Sequence, residues 1–195
     1  MEKFYLEIPS LKRKDDITNY VNEFVEYNSE LNGMGPLMLM TEGYSFEEAL
    51  DFCLKAKDND FSRSINRIPS ETFLLIRYND NKIVGSINIR FNLNEEELKY
   101  VGHIGYGIRP TERRKGYNKI NLYLGFIKAK SMGLDDVILS CESDNIASDK
   151  TLKSFNGKLV RSEKDPYDGL LTNVYSFNVS EAINNYKNIY EQYIK

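Results

Sequence analysis

The spacing of apolar positions along this chain of 195 residues changes several times, and the changes divide it into elements. Residues 4–8 read as a short strand ending at Pro9. Asp15 and Asp16 lead into Ile17, Tyr20, Val21, Phe24 and Val25, whose three-and-four spacing with acids in the first turn predicts an amphipathic helix. Asn32-Gly33-Met34-Gly35-Pro36 breaks it. Ser45 with Glu48 three residues on has the form of a capping box, opening a second helix through Ala49, Phe52, Cys53 and Ala56. Residues 58–69 read as a loop placed to cover a site.

From Thr72 the period falls to two. Residues 72–78 and 82–91 predict a hairpin around the turn at 79–81. Ile83, Gly85, Ile87, Ile89 and Phe91 are expected on one face, and Val84, Ser86, Asn88 and Arg90 on the other, which suits either solvent or a ligand. Residues 101–108 read as a third strand whose Gly102, Gly105 and Gly107 mark a bulge or a close approach by another backbone or a ligand. A basic loop follows, then a helix with Ile120, Tyr123, Leu124 and Ile127 on one stripe and Gly133 as its stop. Residues 137–141 form a continuous apolar run, as in a strand covered on both faces. Strand, helix and strand predict a crossover unit with the two strands parallel. Asn145 offers a cap to a short helix carrying Ile146, Leu152 and Phe155, and residues 159–162 and 170–178 predict a closing antiparallel hairpin around a turn at 165–169. Ser180-Glu181 opens a last helix with Ile183, Tyr186, Tyr190 and Ile194 on one side.

These elements predict one α/β domain over residues 1–195: a mixed, mostly antiparallel sheet with a central parallel βαβ crossover and helices on both faces. Residues 1–70 supply a strand, helices and substrate-side loops, 72–178 the core sheet, and 180–195 the last helix. A composition of 41% hydrophobic and 28% charged residues supports a packed core. Apolar runs such as 73–76 fall far short of the roughly 20 residues of a spanning helix, and the N-terminus lacks a secretory apolar stretch. A cytoplasmic protein without a membrane partner is expected. The net charge of −3 argues against nucleic acid as a partner. Cys53, Cys141 and the single histidine, His103, lack metal-ligand spacing, so no metal is expected.

One basic cluster does change the picture. Arg113-Arg114-Lys115, with Arg109 upstream, is of a size for one or two phosphates. The glycines of 102–107 run in the reverse order for a dinucleotide fingerprint, and neither a GxxxxGK[ST] loop nor a GxSxG elbow occurs. What remains is a strand, a basic loop containing Gly116, and a helix start. Unpaired N–H groups and the helix dipole make that an anion site, and cations at a helix start call for a compensating anion.

Arg113-Arg114-Lys115-Gly116-Tyr117-Asn118 resembles the [Arg/Gln]-x-x-Gly-x-[Gly/Ala] pyrophosphate loop of the GNAT N-acetyltransferase superfamily. Gly105-Tyr106-Gly107-Ile108-Arg109-Pro110 is similar to the strand before that loop, and Asn145-Ile146-Ala147-Ser148 to the Asn-x-x-Ser helix start after the next strand. The closest likeness is to bacterial acetyltransferases of this type. The resemblance spans about residues 72–178 and implies acetyl-coenzyme A as cofactor. By it, Arg113, Arg114, Lys115, Gly116, Tyr117 and Asn118 hold the pyrophosphate, Tyr106, Gly107 and Ile108 lie along the pantetheine, and Asn145 and Ser148 border it. Asn118 departs from the Gly/Ala of the pattern. Where the family often places a Glu base, this chain has His103, which is either a base or a histidine packed in the sheet. The family's Tyr acid position holds Leu152, so the acid is unassigned. Arg90 and Asn92, with the acids that follow, are expected to contact a polar or cationic acceptor.

The implied activity is acetyl transfer by direct attack to a primary amine of a small molecule or peptide. Two alternatives remain open: a non-catalytic acyl-CoA binding or sensing module, and a nucleotide or phosphosugar enzyme using the same helix start. Two faces offer themselves to a homodimer, the terminal hairpin and the tyrosine-striped last helix, and neither carries a specific signal.

Overall fold

The computed structural model describes residues 1–164 and 169–195, in which seven strands form two antiparallel sheets. The first holds β1 (Phe4–Glu7), β2 (Ser70–Arg77), β3 (Lys82–Arg90) and β4 (Ile104–Ile108), in that spatial order. The second holds β5 (Asp136–Glu142), β6 (Lys158–Lys164) and β7 (Leu171–Asn178), with β7 in the middle. Seven α-helices are described: α1 (Lys14–Glu26), α2 (Phe46–Lys55), α3 (Asn59–Ser64), α4 (Glu95–Tyr100), α5 (Tyr117–Ser131), α6 (Ile146–Ser154) and α7 (Val179–Tyr190).

Strand β2 explains the layering. Its unbroken run Phe73-Leu74-Leu75-Ile76 points alternately to two cores. Leu74 and Ile76 pack with α1, α2 and residues 34–39, while Phe73 and Leu75 pack with residues of α5 and α7. The hairpin partner does not keep the expected alternation. Leu75 pairs with Gly85 but Ile76 with Ile83, so a bulge at Val84 puts Ile83 in the first core and Val84 in the second. Nor is the polar face of β3 solvated. Ser86 is 0% and Asn88 2% exposed, with Ser86 Oγ 3.2 Å from Tyr20 Oη and Asn88 Nδ2 donating to Thr72 Oγ1 at 3.0 Å. Two stripe residues lie outside the cores, since Val25 and Ile127 are exposed.

Several expected boundaries move. The loop read at 58–69 contains α3, capped by Asp58, whose carboxylate accepts from Phe61 N at 2.7 Å. The strand read from 101 begins only at Ile104, because α4 precedes it, opened by a capping box between Asn94 and Glu97. Helix α7 starts at Val179 with Asn178, not Ser180, as its cap. Ile194 lies beyond that helix and bridges Phe4. The β6–β7 hairpin forms as expected, while residues 165–168 of its turn lie outside the described residues.

The central crossover determines the site. Helix α5 links β4 to β5, but no ladder joins the two strands, which belong to separate sheets. They meet at an isolated bridge between Gly102 and Leu139 and at the hydrogen bond from His103 N to Ile138 O, 2.7 Å. Gly102 adopts φ +73°, and a Cβ there would lie 2.6 Å from the Ile138 carbonyl oxygen. Only glycine allows that approach. Beyond this seam the facing edge of β4 pairs with no strand among the described residues. No described helix is long and apolar enough to cross a membrane.

Candidate active site

A cavity of about 830 Å³ occupies the space between β4 and β5 and extends to the starts of α5 and α6 and to residues 28–32. At one end lies the turn before α5. Gly116 caps that helix at φ +83°, with nothing within 4 Å of the position a Cβ would take, and Arg114 is also left-handed, at φ +65°. No side chain caps α5 and no acid stands in its first turn. The N–H groups of residues 116–118 therefore lack helical partners where these residues line the cavity, while Lys119 N donates to Gly116 O at 3.2 Å.

The basic cluster divides into different tasks. Arg113 turns inward, its Nε donating to Ile108 O at 3.1 Å, an Nη to Ser29 Oγ at 2.6 Å, and its guanidinium lying over the Phe24 ring. Lys115 does not line the cavity; its ammonium lies 2.7 Å from Glu112, which does. Burial alone would raise the Glu112 carboxyl, but Lys115, Lys82 and Arg77 outweigh it and hold the group at about 2. Arg109 is paired with Glu23 at 2.5 Å. Arg114 and Lys119, which both line the cavity, make no ion pair among the described residues. Lys119 was not singled out from the sequence; it stands one position past the motif, and only the helix start shows its direction.

Along the cavity wall, Tyr106 Oη and Ser148 Oγ are 2.8 Å apart, joining β4 to α6. Burial pushes the Tyr106 phenol well up, so it stays protonated. Asn145 caps α6 by accepting from Ser148 N at 3.0 Å. Asn118 donates from Nδ2 to Thr151 Oγ1 at 3.2 Å, while its Oδ1 is buried without a partner. Cys141 also lines the cavity, its thiol pushed up to about 11 mainly by burial. Ile108, Gly107 and Tyr117 line it too. Gly107 meets its own chain, for a Cβ there would lie 2.5 Å from Asn32 O. The Asn28-to-Asn32 wall was missed in the sequence, although the glycines at 33 and 35 signal the close approach: a Cβ on Gly33 would lie 2.6 Å from Tyr106 Cα.

Besides Lys115, three expected residues stand outside the cavity lining. His103 Nδ1 accepts from Ile138 N at 3.0 Å, and burial, aided by the Arg90 charge, lowers its pKa. With Nδ1 engaged, the neutral ring carries its proton on Nε2, leaving no lone pair for an incoming proton. Arg90 is half-buried and donates to Gly102 O at 3.2 Å. Asn92 lies at φ +53°, with its carbonyl accepting from Arg63 at 2.6 Å.

Two separated strand edges and a helix start without a side-chain cap thus face one cavity. The chain belongs to the acetyltransferase (GNAT) family, whose family model matches residues 19–157. Solved structures share the fold at low identity. The ribosomal-protein-S5-alanine acetyltransferase from Vibrio fischeri has a TM-score of 0.63 at 16% identity, covering 91% of this chain and 94% of that one. The putative acetyltransferase yncA from Salmonella typhimurium, solved with its cofactor acetyl-CoA, has a TM-score of 0.60 at 10% identity, covering 90% and 94%. The microcin C7 self-immunity acetyltransferase MccE, solved with acetyl-CoA and AMP, has a TM-score of 0.61 at 16% identity, covering 90% and 92%. No curated protein matches the chain in sequence.

Proposed function

We propose that the protein is an acetyl-CoA-dependent N-acetyltransferase that moves an acetyl group to a primary amine of a small molecule or peptide. The observation that carries this reading is the opening between β4 and β5, with a free turn of amides at Gly116 at one end and the unpartnered Asn118 Oδ1 along its wall. Coenzyme A fits those groups. The amides of residues 116–118, with the Arg114 and Lys119 side chains, suit a diphosphate, and Asn118 Oδ1 suits an amide N–H of the pantetheine arm. The unpaired edge of β4 over residues 105–108 offers further main-chain partners to that arm.

When bound, acetyl-CoA supplies an activated thioester; the chain supplies position and polarity. Direct attack by the amine is favoured over an acetylated enzyme, because the Cys141 thiol is held at about 11 and is not a thiolate near neutral pH. Main-chain N–H groups on the β4 edge polarise a carbonyl placed beside them. Tyr106 Oη and Ser148 Oγ keep an exchangeable proton on the cavity wall. His103 acts in this reading as a positioning residue that holds the β4–β5 seam, and the amine gives its proton to solvent.

Thermal unfolding with acetyl-CoA, ATP and NAD separates the readings. At about 100 times its dissociation constant, acetyl-CoA should add about 2.7 kcal/mol to stability, and free thiol should appear across a panel of amines. Absence of acetyl-CoA stabilisation overturns the proposal, as does stabilisation by ATP or NAD in its place. Stabilisation with no thiol from any amine leaves a binding or sensing module.

A further inference from the structure

Arg90 stands apart from most of the inward-turned arginines of this protein, although Arg113, held by Ile108 O and Ser29 Oγ, also lacks a carboxylate partner among the described residues. Arg13, Arg63, Arg77 and Arg109 each face a carboxylate, respectively Glu7, Glu97, Glu112 and Glu23. Among the described residues Arg90 faces none. Its guanidinium, with five N–H donors to satisfy, donates to the carbonyl of Gly102 and to no other group among the described residues. Burial depresses its pKa with no neighbouring charge opposing the effect. A charge partly withdrawn from water without a counter-charge carries a desolvation cost, and an arriving anion relieves it.

Its position says where such an anion would sit. Arg90 is opposite His103 at the end of the β3–β4 pairing, and a Cβ built on Gly105 would lie 3.0 Å from one of its Nη atoms. Gly105 lines the cavity. The guanidinium thus lies against a cavity-lining residue that has no side chain to screen it. Of the acids downstream that a cationic acceptor would need, Glu97 is already engaged, since it pairs with Arg63 and completes the α4 capping box. Arg63 also takes the carbonyl of Asn92.

We infer that Arg90 is the acceptor-side anion site, and that the acceptor is a small amine carrying its own carboxylate or phosphate rather than a polyamine or other polycation. This rests on the transferase reading for the word acceptor, but the anion site itself does not need turnover. Arg90 is a specificity residue here; it orients the far end of the substrate and touches no reacting atom.

The test uses the full chain saturated with coenzyme A and follows the Arg90 Nε–H resonance by NMR, assigned through its loss in Arg90→Gln. Phenylalanine and phenylalaninamide, O-phosphoethanolamine and ethanolamine, and spermidine are titrated in turn. The anionic amines should shift that resonance and bind about 10- to 100-fold more tightly than their neutral or cationic counterparts, as for hydrogen bonds to a charged group. Whichever of carboxylate and phosphate binds more tightly identifies the group. In thiol-release assays the acid-to-amide ratio of kcat/KM should favour the acid and fall toward one in Arg90→Gln, with Arg90→Lys between. An Arg90 resonance indifferent to every anionic amine overturns the inference even if Arg90→Gln folds poorly, because it is read on the unaltered protein. Equal turnover of acid and amide overturns it as well. A responsive Arg90 with no thiol released from acetyl-CoA by any amine sinks the transferase reading and leaves the anion site standing.

Discussion

Glu112 shows how one carboxylate sorts the charges around a site. It is 4% exposed and lies 2.7 to 2.9 Å from Lys82, Lys115 and Arg77. By pairing with Lys115 it neutralises that cation, and an anion is left to Arg114, Lys119 and the main chain. Replacing it with the isosteric Gln leaves the three cations without their shared partner, and Glu112→Gln should lose about 3 kcal/mol of stability near neutral pH. Its carboxyl is held at about 2 against an ordinary 4.5, so its contribution is complete above about 4.5 and drains away as pH falls toward 2. Urea unfolding of both proteins at pH 7 and pH 3 should show the gap between them narrowing in acid; an equal gap would mean that shape, not charge, matters at this position. At this scale the sequence was legible where backbone chemistry chooses the residue, as with Gly116 at positive φ or Asn145 at a helix cap. It was illegible where a side chain's direction depends on a distant partner. Nothing near Lys115 in the motif says that Lys82 and Arg77 will gather around the same carboxylate.

Between elements the decisive contact is the short seam of β4 with β5. His103 contributes both of its faces to it, main-chain N–H to Ile138 O and ring Nδ1 to Ile138 N. Its folded pKa lies below the ordinary 6.5, with burial the first cause and the Arg90 charge adding to it. The neutral ring is therefore favoured by folding. The stability this gives is complete above pH 6.5 and is lost as pH falls through the folded value. Melting temperature should accordingly drop from pH 7 toward pH 5 in the natural protein, and this fall should be reduced in His103→Gln, which keeps a polar acceptor but does not titrate. As the only histidine, its ring resonances report the folded pKa directly. A value at or above 6.5, or a catalytic pH profile that loses its basic limb in His103→Gln, would restore the histidine as a base. The sequence did show a strand, a helix and a buried strand in this order, and the capping pattern at Ser45 read correctly. It hid α3 and α4 because their caps, Asp58 and Asn94, sit among other acids and amides that look like solvated turn. It also hid the separation of β4 from β5, since periodicity describes one strand's faces and not which edge finds a partner.

At the scale of the whole molecule, two sheets meet along one edge and part, and the cavity is the result of that parting. The amides facing it from β4 over residues 105–108, and from β5 over 140–142, have no ladder across the gap. They should exchange with solvent faster than the β1–β2 and β2–β3 pairs, which are laddered along their length apart from the bulge at Val84 and flanked by the two apolar cores. A ligand that grips only the start of α5 would slow exchange at residues 116–119 alone. A ligand whose arm runs inward must also protect the β4 edge and the facing part of β5, and by bridging the sheets it should stiffen the seam at Gly102 and Ile138. Hydrogen exchange with coenzyme A, compared with adenosine 3′,5′-bisphosphate as a ligand lacking the arm, therefore separates the two halves of the site. Protection at α5 should occur with both ligands, and protection at 105–108 and 140–142 with coenzyme A alone. Identical patterns would mean that the opening between the sheets does not receive the arm, and the anion turn at Gly116 would then be a nucleotide site without a transferase behind it.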